Sequence, residues 1–210
     1  MIKFRTILSA NVLIGATLLL TACVSSTARL AETVYYDLGT SVNANGAQPL
    51  PLRGLDVHAP SWLGTAAIQY RLAYGDASRR LSYAESRWVA PPAELLEVAL
   101  RRRIAAAETD MASAGCRLRI DVDEFVQVFD TQTSSRSVIE ARVSLLAAKS
   151  DQLLARRNFG LSQAAATPDA RGGVAAFSVL TADVSRDVAV WLGTLVRDTP
   201  NLAQRCAKGT

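Results

Sequence analysis

Three cysteines carry the most distinctive chemistry in this chain of 210 residues. Cys23 closes the run Leu20-Thr21-Ala22-Cys23, which follows a basic start with Lys3 and Arg5 and a broken apolar stretch from Ile7 to Leu20. A membrane-spanning helix needs about 20 apolar residues, and Ser9, Asn11 and Gly15 interrupt this one. A basic n-region, an apolar core of roughly 7 to 15 residues and small residues before the cut instead describe an export signal. The cysteine directly after small Thr21 and Ala22 makes it a bacterial lipoprotein signal: the Cys23 sulfur is acylated, the chain is cut before it, and Cys23 becomes the mature N-terminus. In the alternative, an ordinary signal peptide, Cys23 is incidental. One acyl chain holds a protein to a bilayer only reversibly, whereas the diacylglycerol and N-acyl groups expected here give stable attachment.

Cys116 and Cys206 remain after lipidation. An even pair in an exported chain is most simply a disulfide, the other option being two buried free thiols. Closing a loop of about 90 residues stabilises a fold by about 4 to 5 kcal/mol in the chain-entropy model. It would staple the C-terminal tail to the start of a central strand. A metal site is not expected, because His58 is the only histidine and no Cys-x-x-Cys spacing occurs.

Catalytic constellations are equally scarce. A triad or a cysteine–histidine pair would have to use His58, at a strand end beside Pro60, and no Gly-x-Ser-x-Gly elbow surrounds any serine. Asp121, Asp123 and Glu124 are close enough to suggest a carboxylate pair or a cation site. Leu118, Ile120 and Val122 take the opposite face, however, so the plain expectation is a half-exposed strand with a polar outer side. Glu124 followed by Phe125 breaks the alternation and predicts a bulge. Gly172-Gly173 precedes a helix, but no Walker lysine follows to make a phosphate loop. No catalytic residue, cofactor or metal is assigned.

The elements that must position these residues follow from periodicity. Thr33 to Leu38 reads as a strand closed by Gly39, Ser41 to Pro51 as loop, and Leu52 to Val57 as a second strand. Ala66 to Tyr74 alternates, with Ile68, Tyr70, Leu72 and Tyr74 on one side and Gln69 and Arg71 on the other. A turn over Gly75 to Arg80 leads to a short partner strand, Leu81 to Ala84. Pro91-Pro92 opens a helix with Glu94 at its positive end, a buried stripe of Leu96, Leu100, Ile104, Ala107 and Met111, a Glu97–Arg101 pair on the wet side, and Gly115 at its end. Strands over Arg117 to Asp130, Val138 to Ala148 and Leu153 to Ser162 form a meander. A last helix, Gly173 to Val196, stripes Phe177, Leu180, Val184, Val188, Trp191 and Leu195, with Trp191 as a core plug. The expected fold is an α/β layered domain, α+β in character, with a mixed, largely antiparallel sheet and two main helices packed on it.

Removal of residues 1–22 leaves about 188 residues, enough for one core, so the expected organisation is a signal over 1–22, a lipidated tether over 23–31 and a single domain over 32–210. Val24 to Leu30 is rich in serine, threonine and alanine and reaches about 30 Å at most. The signal carries two basic residues and no acid, so the formal charge falls from +4 to about +2, which argues against nucleic acid as a partner. Arg101, Arg102 and Arg103 read as a solvated helix face. Val24 rather than aspartate after the cysteine directs sorting to the outer membrane under the common enterobacterial rule.

Several short motifs follow one another along the chain: Tyr35-Tyr36-Asp37-Leu38-Gly39, Ala59-Pro60 with Trp62-Leu63, Tyr70-Arg71-Leu72-Ala73-Tyr74, Tyr83, and Arg87-Trp88-Val89-Ala90-Pro91-Pro92 followed by Glu94-Leu95-Leu96. Over about residues 31 to 197 the chain resembles the ABC-type transport auxiliary lipoproteins, the PqiC-like family. The resemblance implies a fold similar to the N-terminal domain of TolB. It also implies an outer-membrane lipoprotein on the periplasmic face, serving an intermembrane lipid transport system. Its implied partners are an MCE-domain (mammalian cell entry) periplasmic protein and, through it, an inner-membrane permease and an ABC ATPase, with a role in envelope integrity. The family brings no catalytic residues; the lipidated cysteine transfers to Cys23. Trp62, Tyr35 and Trp88 are candidate partner contacts, since aromatic anchors dominate many interfaces, and a homo-oligomer around a conduit is compatible with symmetry. A structural or regulatory envelope lipoprotein acting on cell-wall or Tol-type machinery is the alternative.

Overall fold

Alternating burial along three long strands builds the frame onto which everything else packs. The computed structural model describes residues 32–39, 50–104 and 115–208. Its elements, in chain order, are β1 (Val34–Tyr36), β2 (Leu52–His58), a 3₁₀ turn (Ser61–Leu63), β3 (Ala67–Leu72), β4 (Leu81–Trp88), α1 (Pro92–Ile104), β5 (Cys116–Phe129), β6 (Ser135–Leu146), β7 (Leu153–Ala164), α2 (Ala170–Asp198) and α3 (Leu202–Lys208). Cys23, the predicted signal and the predicted tether lie outside the described residues. So do positions 41–49 of the predicted loop, and Ala107 and Met111 of the predicted helix stripe.

One seven-stranded sheet runs β1-β4-β3-β5-β6-β7, with β2 added beside β5. β5 is long enough to serve two neighbours on one edge: β2 lies parallel along Cys116 to Asp121, and β3 lies parallel along Gln127 to Phe129. Its other edge takes β6 along nearly the whole strand, and β7 continues the antiparallel meander. β1 pairs parallel with β4, which pairs antiparallel with β3. The sheet is therefore mixed and largely antiparallel, with helices packed on it, as the sequence predicts. The register shift expected near Phe125 falls between Val122 and Glu124. It switches the core face from Leu118, Ile120 and Val122 to Phe125, Gln127 and Phe129.

Helical spacing buries Leu96, Leu100 and Ile104 of α1 and Phe177, Leu180, Val184, Val188 and Trp191 of α2. Phe125 stacks on Phe177 with ring centroids 4.1 Å apart, and Trp88 meets both rings edge-on at 5.6 and 5.7 Å. Trp191 plugs the other end of the core against Phe159. No helix among the described residues is long and apolar enough to cross a membrane.

Several features depart from the periodicity. β4 continues past Ala84 to Trp88 because β1 pairs with its far end, Val34 with Ser86 and Tyr36 with Trp88, a contact between distant segments that no local pattern reports. Gln69, assigned to the outer side with Arg71, is buried; the Trp62 carbonyl accepts from its amide and Arg80 donates to it. α2 starts at Ala170, ahead of the two glycines that look like helix breakers, because the Asp169 side chain caps it by accepting from the Gly172 amide at 2.7 Å. α3 has too few residues for a periodic signal.

Candidate functional site

Cys116, the first residue of β5, and Cys206, in α3, form a disulfide with Cα atoms 4.7 Å apart, both sulfurs buried in the core. Around it the Gly115 amide donates to the Cys206 carbonyl and the Cys116 amide donates to the Pro51 carbonyl. Gly115 has φ +126°, and a Cβ there would lie 2.7 Å from the Arg53 nitrogen, so only glycine serves. The bridge thus joins the C-terminal helix to the entry of β2 and the start of the central strand.

The acids are engaged by arginines. Arg119 grips Asp121 at 2.9 Å, Arg142 grips Asp123 at 2.9 Å, and Glu124 is shared between Arg71 and Arg80 at 2.8 Å each. His58 is exposed at the end of β2, level with Asp121 in the register. The described residues contain no group of three or more histidine, cysteine or acidic side chains placed to hold a metal ion.

The three aromatic candidates are not brought together. Trp62 is 54 % exposed on the 3₁₀ turn and Tyr35 is 64 % exposed on β1. Trp88 is corrected: at 1 % exposure it sits in the aromatic core with Phe125 and Phe177 and has no surface to offer a partner. It lies on the core side of β4 because its register partner Tyr36 packs inward too.

Sequence reasoning missed three polar arrangements. Gln127 is fully buried; its amide donates to the Ser135 hydroxyl at 2.8 Å and to the Asp169 carbonyl at 3.1 Å, and its carbonyl accepts from the Tyr83 hydroxyl at 2.9 Å. A Cβ at Gly173 would fall inside the Gln127 amide, which explains the second glycine. Burial, reinforced by the Asp169 charge and then by Tyr70, pushes the Tyr83 hydroxyl well above the usual phenol range, so it stays a donor. The only sequence signal was a glutamine in an otherwise apolar stretch of β5.

The second arrangement closes the free edge of β2. Glu97 accepts from the Val57 amide at 3.0 Å, Arg101 donates to the Leu55 carbonyl at 2.9 Å, and the two side chains pair with each other at 3.0 Å. The predicted Glu97–Arg101 pair is present, yet it is a clip on a sheet edge and not a solvent ornament.

The third is the outer edge of β7, the last strand of the sheet. The Ala165 amide bonds inward to Ser135 and the register is continuous from there to Ala155. Antiparallel alternation then turns the backbone groups of Arg156, Asn158, Gly160, Ser162 and Ala164 outward. β7 has two arginines and no acid. Arg156 donates to the Ser144 hydroxyl, and Arg157 lies 5.2 Å over the Phe159 ring. Arg156 also borders an open hollow of 420 Å³ with Arg117, Arg119 and Arg142. Those other three are ion-paired.

Among the described residues the acids near β5 are held in ion pairs, and the backbone edges are closed at β2 and open at β7. Among curated proteins none matches the chain. Crystal structures that share the fold include the following two. One, a protein of Xanthomonas campestris, is 20 % identical, covers 80 % of this chain and 100 % of its own, and superposes with a TM-score of 0.67. The other, an uncharacterised protein, is 18 % identical, covers 77 % and 99 %, and has a TM-score of 0.58. The sequence pattern of the ABC-type transport auxiliary lipoprotein component matches residues 36–189, from the end of β1 deep into α2. With that match spanning most of the chain and the same elements in order, the protein belongs to the family of ABC-type transport auxiliary lipoproteins.

Proposed function

We propose that the chain is the lipid-anchored outer-membrane subunit of an MCE/ABC-type intermembrane lipid transporter, and that it receives the end of a periplasmic conduit there and supports the barrier. The family match over residues 36–189 carries this reading. The Leu20-Thr21-Ala22-Cys23 run supports the anchor: with residues 1–22 removed and Cys23 acylated, a tether of under ten residues keeps the folded body within about 30 Å of the lipid. Such a subunit needs no catalytic group and no energy source of its own, because the ATPase supplies the work from the inner membrane. Trp62 and Tyr35 are exposed aromatics available for docking.

The test is crosslinked capture from outer-membrane fractions, with Cys23→Ala as the unanchored control. Recovery of an MCE-domain protein with the anchored chain, and its loss with Cys23→Ala, is the expected outcome. Recovery of cell-wall enzymes alone would overturn the proposal.

A further inference from the structure

Among the described residues, the outer edges of β1, β2 and β7 are treated differently. β1 offers only three residues. β2 is closed by Glu97 and Arg101. β7 presents twelve residues without proline, and its outward groups recur at Arg156, Asn158, Gly160, Ser162 and Ala164. A long open edge of this kind is a template for another strand.

We propose that the outer edge of β7 takes up an extended, acidic segment of a partner protein as an eighth strand. Main-chain hydrogen bonds would give the affinity and alternate side chains the selectivity. The charge follows from β7 itself. Arg156 projects onto the open sheet face and Arg157, one residue on, onto the helix-bearing face, so an added strand meets a guanidinium on each side. Neither arginine has a carboxylate partner among the described residues, in contrast to Arg117, Arg119 and Arg142 alongside. Gly160 leaves the sheet face beside the middle of the edge uncrowded, since nothing lies within 4 Å of where its Cβ would be. A second copy is the wrong occupant on charge: two β7 strands side by side would gather four arginines and no acid. This surface follows from the sheet alone and stands whether or not the lipid-transport proposal does.

The test uses the full-length chain in detergent micelles and a fluorescent nine-residue peptide alternating glutamate and threonine, with a lysine–threonine peptide as control. Binding of the acidic peptide is expected to slow hydrogen exchange at the Asn158, Gly160 and Ser162 amides. The double variant Arg156→Glu, Arg157→Glu should weaken it at least tenfold. Gly160→Pro deletes an outward N–H without touching the ladder to β6 and should abolish it with the fold intact. Equal binding of the lysine peptide overturns the proposal, as does binding without protection at those three amides. Concentration-dependent protection with no peptide present also overturns it, because the edge would then belong to a second copy. If a variant fails to fold, the exchange map of the unaltered chain still decides.

Discussion

The free edges of β2 and β7 pose one physical problem and receive opposite answers. At β2 a helix lays a salt-bridged pair over the strand, so that the Val57 amide and the Leu55 carbonyl are satisfied within the chain. At β7 no strand or side-chain pair among the described residues covers the outward groups, and the strand carries two arginines and no acid. Unpaired strand edges invite association, and proteins blunt them with charge, brevity or cover. Here cover is spent on the edge beside the disulfide, and charge alone guards the other. The contrast teaches that the β2 side is built as a scaffold and the β7 side as a surface.

Breaking the scaffold side should have the largest effect. Cys206→Ala is expected to cost about 2 to 5 kcal/mol in chemical denaturation, and exchange should accelerate at β2 and the start of β5 before it does along β6. Equal loosening at β7 would erase the contrast. Glu97→Ala strips the acceptor from the Val57 amide and should cost about 1 to 3 kcal/mol, toward the lower value because the Glu97 side chain is about a third exposed. Tyr83→Phe, away from both edges, leaves the Gln127 carbonyl without its donor and should cost about 1 kcal/mol by thermal melting.

Asp169 sharpens the picture by pH. Its bond from the Gly172 amide, then that from the Thr167 hydroxyl, hold its carboxyl below the ordinary 3.8. A depressed value contributes stability that is present above pH 3.8 and is lost as pH falls through the folded-state value. Acid melting of the wild type should show this contribution below about pH 4, and Asp169→Asn, which keeps a capping oxygen, should flatten it. The smallest effect is expected from Arg156→Glu with Arg157→Glu, which should move stability by under about 0.5 kcal/mol because both side chains are exposed. A loss of several kcal/mol would mean that β7 is structural after all.

Strand alternation and the helical stripes of Leu96 to Ile104 and Phe177 to Trp191 made the layers legible in the sequence, because each repeats within a short window. The bulge at Glu124 was legible for the same reason. The parallel pairings β1–β4, β2–β5 and β3–β5 were not, since they join segments tens of residues apart. For that reason Trp88 looked available and proved to be core. The cysteine pair was legible by counting, whereas the Gln127 network and the Glu97 clip depend on which strand lies beneath which helix. Charge could be read along β7, but its position at the sheet's edge could not.

Residue-resolved hydrogen exchange on the full-length chain without any partner tests the contrast most directly. The Val57 amide should be protected to the level of the core strands. Along β7, protection should alternate, with Asn158, Gly160 and Ser162 exchanging fast and Phe159, Leu161 and Gln163 slow. Uniform protection along β7, or a Val57 amide as fast as that of Gly160, would contradict the division of the molecule into a closed edge and an open one.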